Sequence, residues 1–270
     1  MNNFMTFMSA PVAACFLLAI IYTYFGCHVL KREIIFVDLS LAQLAALGTT
    51  LAFVLDLELD SPGSHALSSL FVVAGSAFFS YTRNLETNIP QEAVIGIVYV
   101  VSASMALLLL SQTPHGAEHL KTLLNGSILW ITWGGVLQIF CVTLLVGGVH
   151  WMMRTQFIEQ SETYKNFTAG KSRGQIWDFL FYVTLGAVIV FSVKTAGIFL
   201  IFTFLIIPAV CGALFSRSMV KQFIIGSVLS ITVSLTGLLL SFFLDLPTGA
   251  TLVVSFGMAF FASLMFRKMR

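Results

Sequence analysis

The sequence predicts an all-α protein, a polytopic transmembrane helical bundle of about nine spans. Three observations carry this. Hydrophobic residues make up 58% of the 270-residue chain and charged residues 10%, against about 25% charged in a soluble domain, and the mean hydropathy is +0.94. The apolar residues fall into repeated runs of about 20, the length that crosses a hydrocarbon core near 30 Å. Once these runs are laid out as alternating crossings, the basic residues gather on one side.

Charges and Pro/Gly clusters bound the runs, placing spans at 7–30, 34–55, 65–82, 92–111, 133–153, 176–193, 196–216, 222–244 and 248–266. The start, MNNFMTFMSAPVAACF, has no basic n-region, so its apolar run reads as the first span and not as a cleavable signal peptide. Residues 122–132, LLNGSILWITW, are apolar but too short to cross alone and read as a half-helix or re-entrant segment against the fifth span, leaving eight to ten crossings as the range. Pro208, within LIIPAV, is expected to kink or break the seventh span and free a carbonyl, either as a packing kink or along a pathway. Cys15, Cys27, Cys141 and Cys211 lie in or beside apolar runs without a CxxC pair and read as small buried hydrophobes.

With the N-terminus outside and the C-terminus cytoplasmic, the inner side receives Lys31, Arg32, Arg83, Arg154, Lys165, Lys171, Arg173, Arg217, Lys221, Arg267, Lys268 and Arg270. The outside keeps only Lys121 and Lys194, with Asp56, Glu58, Asp60, Glu118 and Asp245. That is a clear positive-inside pattern. The sizeable hydrophilic segment, RTQFIEQSETYKNFTAGKSRGQIWD at 154–178, is then cytoplasmic. Its mixed charges and its aromatics Tyr164, Phe167 and Trp177 suit a folded docking loop better than a disordered tail.

The second span raises a sharper question, since EIIFVDLSLAQLAALG carries Asp38, Ser40 and Gln43 inside an apolar run. At 1.5 Å per residue, Gln43 lies about 18 Å along the helix from Lys31, near mid-bilayer, and Asp38 about 10 Å from it. Ser40 and Gln43 stand about 60° apart around the axis, whereas Asp38 points about 140° away from Gln43. Asp38 shares its face with Ala42, Ala45 and Thr49, a spacing that permits close helix approach. Two readings stand for each residue: Asp38 as a gate or as a partner of Arg32, and Gln43 as a pathway residue or as an interhelical hydrogen-bonding group.

Four stretches in order, GCHVLKREIIFVDLSLAQLAALG, IGIVYVVSASMALLLLS with LLNGSILWITWGGV, TAGIFLIFTFLIIPAVCGALFS, and FLDLPTGATLVVSFG, resemble the metal-type ABC permease family, the membrane subunits of bacterial zinc and manganese importers. The resemblance covers nearly the whole chain. It implies a single permease domain over 1–270 in the bacterial plasma (inner) membrane, and a homodimer or a pair of related permeases around a central path. It also implies two cytoplasmic ATPase subunits docked below and an outer substrate-binding protein above. The 154–178 loop falls where the family has its coupling helix, and SETYKNFTAG aligns with that core, bringing Glu162, Tyr164, Phe167, Ala169 and Gly170 to the ATPase contact. The chain departs from the family's Gly-Asp-x-x-x-His pattern: counting back from Gly48, the His position is Gln43 and the Asp position is Leu39. An amide oxygen is a poor zinc ligand beside imidazole or thiolate.

No nucleotide site is expected. AGKS at 169–172 mimics the end of a phosphate loop, but the required Gly five residues before Gly170 is Lys165, so ATP hydrolysis falls to a partner chain and no cofactor is bound here. His115 and His119, four apart with Glu118 adjacent, offer a metal-capturing mouth if helical; Pro114 and Gly116 argue for a surface loop. His28 and His150 read as interfacial. The expected role is therefore a permease that moves a divalent metal such as zinc or manganese, bound to lipid and protein partners and not to nucleic acid. Rival readings are a chelate or other small solute as cargo, favoured by Gln43, or a stand-alone secondary carrier, for which the spans offer only Asp38 near one end.

Overall fold

The computed structural model describes residues 2–58, 61–83, 89–111, 124, 126, 128–162, 164 and 172–268. Among these the regular structure is helical: α1 (Asn2–Arg32), α2 (Val37–Val54), α3 (Pro62–Arg83), α4 (Gln91–Ser111), α5 (Trp133–Met152), α6 (Arg154–Glu162), α7 (Ser172–Ala196), α8 (Ile198–Phe215), α9 (Met219–Leu244) and α10 (Thr248–Lys268). All but the short polar α6 are long and apolar enough to cross a membrane, giving nine candidate spans among the described residues. Within 122–132 the described residues include a 3-10 turn, Ile128–Trp130.

Burial follows from the side chains. The core runs along α1, α2, α7 and α8, where Leu18, Tyr22, Phe25, Leu41, Phe181, Leu185 and Phe204 meet. Helix α2 packs against α3, α4 and α7, while α1 packs against α5, α8 and α9, and α10 closes against α8 and α9. Helices α4, α5, α9 and α10 turn large apolar side chains outward, among them Leu108, Leu144, Leu145, Phe243 and Phe261. A lipid-facing surface requires that pattern, because the hydrocarbon core offers no partner for polar groups. Exposed Trp133 and Trp151 stand at the two ends of α5. Eighteen residues apart, they are separated by about 27 Å of helix, close to the hydrocarbon thickness and the spacing expected of tryptophans at two membrane interfaces.

Where helices approach closely, glycine permits it. A Cβ on Gly26 of α1 would collide with the Leu205 carbonyl of α8 and with Ala209. Three expectations are corrected. Helix α7 begins at Ser172, not at 176, so the last part of the 154–178 segment is helical, with Asp178 buried and ion-paired within the bundle. Helix α8 continues through Pro208 without the break that was one of the two expectations there, and α9 presents Gly226 against it, whose missing Cβ leaves room for the Pro208 carbonyl. Cys141 is exposed on α5, while Cys15, Cys27 and Cys211 are buried as expected.

Candidate functional site

Helix α2 holds the first group of candidate residues, and its sequence explains its position. It is built largely from Ala, Leu, Gly and Thr, small enough to be surrounded by neighbours, and 14 of its residues are buried. On Gly48, a Cβ would stand 2.6 Å from the Ser68 Cα of α3. One turn of small residues therefore brings the two backbones together, and Thr49 Oγ1 meets Ser68 Oγ at 2.7 Å across the contact. Asp38, Ser40 and Gln43 are all buried within this chain, with Gln43 retaining 5% of its surface. The helix places Asp38 in its first turn. The carboxylate does not pair with Arg32, as one reading had it, because Arg32 is committed to Asp178. It sits in the first turn of α2, where the helix dipole favours negative charge, and both of its oxygens are buried with no hydrogen-bond partner among the described residues.

A second carboxylate serves the same helix end. Phe36, which precedes α2, cannot cap it with its own side chain; instead its N–H donates to Glu92 Oε1 of α4 at 3.0 Å. The chain enters α2 through a tight reversal, with Glu33 at φ 55° and Ile34 N–H donating to the Val29 carbonyl at 3.3 Å. Glu92 was not legible as a site residue, since only the α2–α4 contact joins it to residue 36.

The second group lies at the ends of α1, α3 and α5 and the start of α7. Asp178, fully buried, accepts Arg32 Nη1 on Oδ1 at 2.9 Å and is ion-paired through Oδ2 with Arg83. Arg32 Nε donates to Ser161 Oγ of α6 at 2.9 Å, and its guanidinium lies 3.9 Å from the Phe181 ring centroid. Arg83 lies 3.4 Å over the Tyr164 ring and donates from Nη2 to the Tyr164 carbonyl at 3.3 Å. Two buried guanidiniums face one carboxylate. The excess positive charge meets aromatic faces and the negative ends of α1 and α3, since Arg32 and Arg83 are the final residues of those helices.

Two histidines complete the region, and both are buried, contrary to the interfacial expectation. The Ser161 hydroxyl donates to the Phe157 carbonyl at 2.9 Å, so its oxygen accepts from His28 Nδ1, 2.8 Å away. Thr184 likewise gives its proton to the Leu180 carbonyl at 2.8 Å, so His150 Nε2–H donates to Thr184 Oγ1 at 2.8 Å. That leaves His150 Nδ1 to accept from the Tyr24 hydroxyl at 3.0 Å. The His150 ring stacks on Phe157 of α6, centroids 3.9 Å apart and planes within 6°.

The candidate coupling residues divide. Glu162 is exposed at the end of α6, whereas Tyr164 turns inward beneath Arg83 and its hydroxyl lies 3.1 Å from that of Tyr182. Phe167, Ala169 and Gly170, and the pair His115 and His119, lie outside the described residues. Pro208 is buried in α8. Among the described residues no group of three His, Cys, Asp or Glu side chains converges as a metal-holding set. Asp178 was missed as a site because it reads as the last charge of a hydrophilic loop; the signal was its position one residue before the apolar run FLFYV.

A model of the ABC 3 transport family matches residues 4–267. A protein of Chlamydia muridarum described as a "probable metal transport system membrane protein" is 23% identical over 249 residues, 90% of this chain and 83% of that one. The manganese transport system membrane protein MntB of Synechocystis is 26% identical over 205 residues, 71% of this chain and 64% of that one. Among solved structures, PsaBC from Streptococcus pneumoniae in complex with Fab contains a chain of the same fold, with a TM-score of 0.78, 19% identity, and coverage of 95% of this chain and 90% of that one.

Proposed function

The chain belongs to the ABC 3 transport family, and from that premise we propose that it is the permease of an importer for a divalent metal ion, manganese or zinc. It is a multi-pass membrane component of a bacterial metal transport system, and it performs no catalysis of its own. The finer reading has a cytoplasmic ATPase drive the cycle, an outer binding protein deliver the ion, and a second copy of the chain complete the path. In this reading the N-terminus lies outside, which the one-sided distribution of basic residues supports. Coupling to the ATPase falls to the 154–178 segment, with exposed Glu162 and the stretch through Phe167, Ala169 and Gly170. His115 and His119 belong to the outer face, where they would meet an arriving ion.

The observation that carries the proposal is a family-wide match on a bundle whose central helix holds Asp38, Ser40 and Gln43 away from lipid. A buried amide and carboxylate in a membrane helix are costly unless they are partnered or used. ATP-driven closure would repack the neighbours of α2, exposing these groups to the path in turn on each side. A second reading is favoured by one observation: Gln43 stands where a metal-binding His is expected, so a chelated metal, recognised by neutral hydrogen bonding, suits the site as well. The stand-alone carrier gives way to the family membership. The test is uptake by the wild-type chain reconstituted with its ATPase and binding protein. Vesicles are offered free Mn²⁺, free Zn²⁺ or either ion chelated by a siderophore-like ligand. ATP-dependent accumulation of a free ion supports the first reading, accumulation of the chelate alone supports the second, and accumulation of neither removes both.

A further inference from the structure

We infer that Arg32, Arg83 and Asp178 form a rigid joint that carries displacement of the cytoplasmic helix α6 into α2, making them positioning residues for transport. The inference rests on the permease reading and concerns how motion reaches the pathway helix.

The joint is defined by what converges on it. Asp178 belongs to α7, Arg32 ends α1 and Arg83 ends α3, and one carboxylate oxygen serves each guanidinium. Helix α6 is held to the same point: Ser161 receives both Arg32 Nε and His28 Nδ1, and Gln160 Nε2 donates to Asp178 Oδ1 at 3.4 Å and to the Gly174 carbonyl at 3.4 Å. Phe157 stacks on His150 of α5. Helix α6 therefore cannot shift without moving the end of α1 or rupturing buried, charge-assisted bonds, the strongest hydrogen bonds available to it.

From Arg32 the mechanical route to α2 is short. Four residues, 33–36, separate α1 from α2. They are tied at both ends, by Ile34 N–H to the Val29 carbonyl and by Val37 N–H to the Ile34 carbonyl at 3.1 Å. Glu92 fixes the last of them through the Phe36 amide. Displacement of the Arg32 guanidinium is thus delivered to the first turn of α2, where Asp38 lies. Stability alone does not account for the triad, because replacing a buried ion-pair cluster with apolar residues of similar volume is often neutral or stabilising. A hydrophobic cluster would pack these helices but would let them slide; directional bonds in a fixed array do not.

The test replaces the joint as a unit, with Arg32→Met, Arg83→Met and Asp178→Leu in one variant, so that no charge is left buried alone. Wild type and variant are each reconstituted with their ATPase and binding protein, and Mn²⁺ or Zn²⁺ moved per ATP hydrolysed is measured. The variant is expected to fold with an undiminished unfolding temperature and to lose about fivefold or more in ions per ATP, the lower end of ordinary coupling between sites. A wild-type ratio in the folded variant overturns the inference, since a purely structural triad would alter the yield of folded protein and not the stoichiometry. Hydrogen exchange on the wild-type complex gives an answer even if the variant does not fold. On ATP addition, exchange in 154–162 and in 28–38 should change together, and a response confined to 154–162 overturns the joint. Failure of the cargo reading is seen separately, as absence of divalent-ion uptake by wild type while the exchange response to ATP persists.

Discussion

Replacing Asp178 with Asn keeps the side chain's size and its acceptor oxygen but strands two guanidiniums in a buried site. Both are almost wholly enclosed, Arg32 at 0% and Arg83 at 5% side-chain exposure, so neither can recover its lost partner from water. Breaking a buried pair by removing one member costs about 3–5 kcal/mol, a large part of the 5–15 kcal/mol that holds a typical fold. Unfolding should therefore occur about 10 °C lower, taking roughly 2–4 °C per kcal/mol for a chain of this size. The chain supplies its own reporter: Cys15, Cys27 and Cys211 are buried and Cys141 is exposed, so a thiol-reactive dye on a Cys141→Ser background reads the opening of the core. Arg83→Met makes the informative contrast. It leaves Arg32 and Asp178 as a neutral buried pair and should cost clearly less than Asp178→Asn. If Asp178→Asn melts within about 2 °C of the parent, or if Arg83→Met proves the more damaging, the charge argument is refuted.

Two further outcomes follow from the packing. Gly26→Ala forces a methyl group against the Leu205 carbonyl and should lower the unfolding temperature by several degrees, in line with an overpacking cost of about 1–3 kcal/mol; a neutral result in the same thiol assay would show that α1 and α8 do not approach as described. In a double-mutant cycle, Thr49→Val and Ser68→Ala should couple by about 0.6 kcal/mol, the average for interhelical hydrogen bonds in a membrane, and additive costs would remove the 2.7 Å bond from the account.

The spans were legible because their cause is local. A run of about 20 apolar residues has one way to satisfy its backbone in lipid, so length and hydropathy suffice, and the nine candidate spans match the nine expected within a few residues. The joint was not legible, because its partners are distant in the chain: Arg32 and Asp178 are 146 residues apart, and the apolar run that follows Asp178 hints at burial without naming a partner. The histidines failed for the same reason. His150 sits at the end of an apolar helix, as an interfacial residue would, and only Tyr24 and Thr184, from two other helices, make its burial affordable in hydrogen bonds. The Pro208 expectation came from backbone chemistry alone, and the contact that accommodates it is Gly226 on the next helix.

The measurement that bears most directly on the account is ATP-dependent metal uptake by the Gln43→Leu variant, reconstituted with its ATPase and binding protein and normalised to the amount of folded permease. Leucine preserves bulk and removes the amide, so a pathway role predicts uptake reduced about tenfold, equivalent to about 1.4 kcal/mol and within the range of one polar contact in a membrane helix. Expression and unfolding temperature should stay near wild type. Gln43→His, which installs an imidazole able to ligate a metal ion, should raise uptake of free Zn²⁺ or Mn²⁺ above that of the leucine variant. Unchanged uptake by Gln43→Leu at equal amounts of folded protein would contradict the pathway role and leave Gln43 as a packing residue of α2.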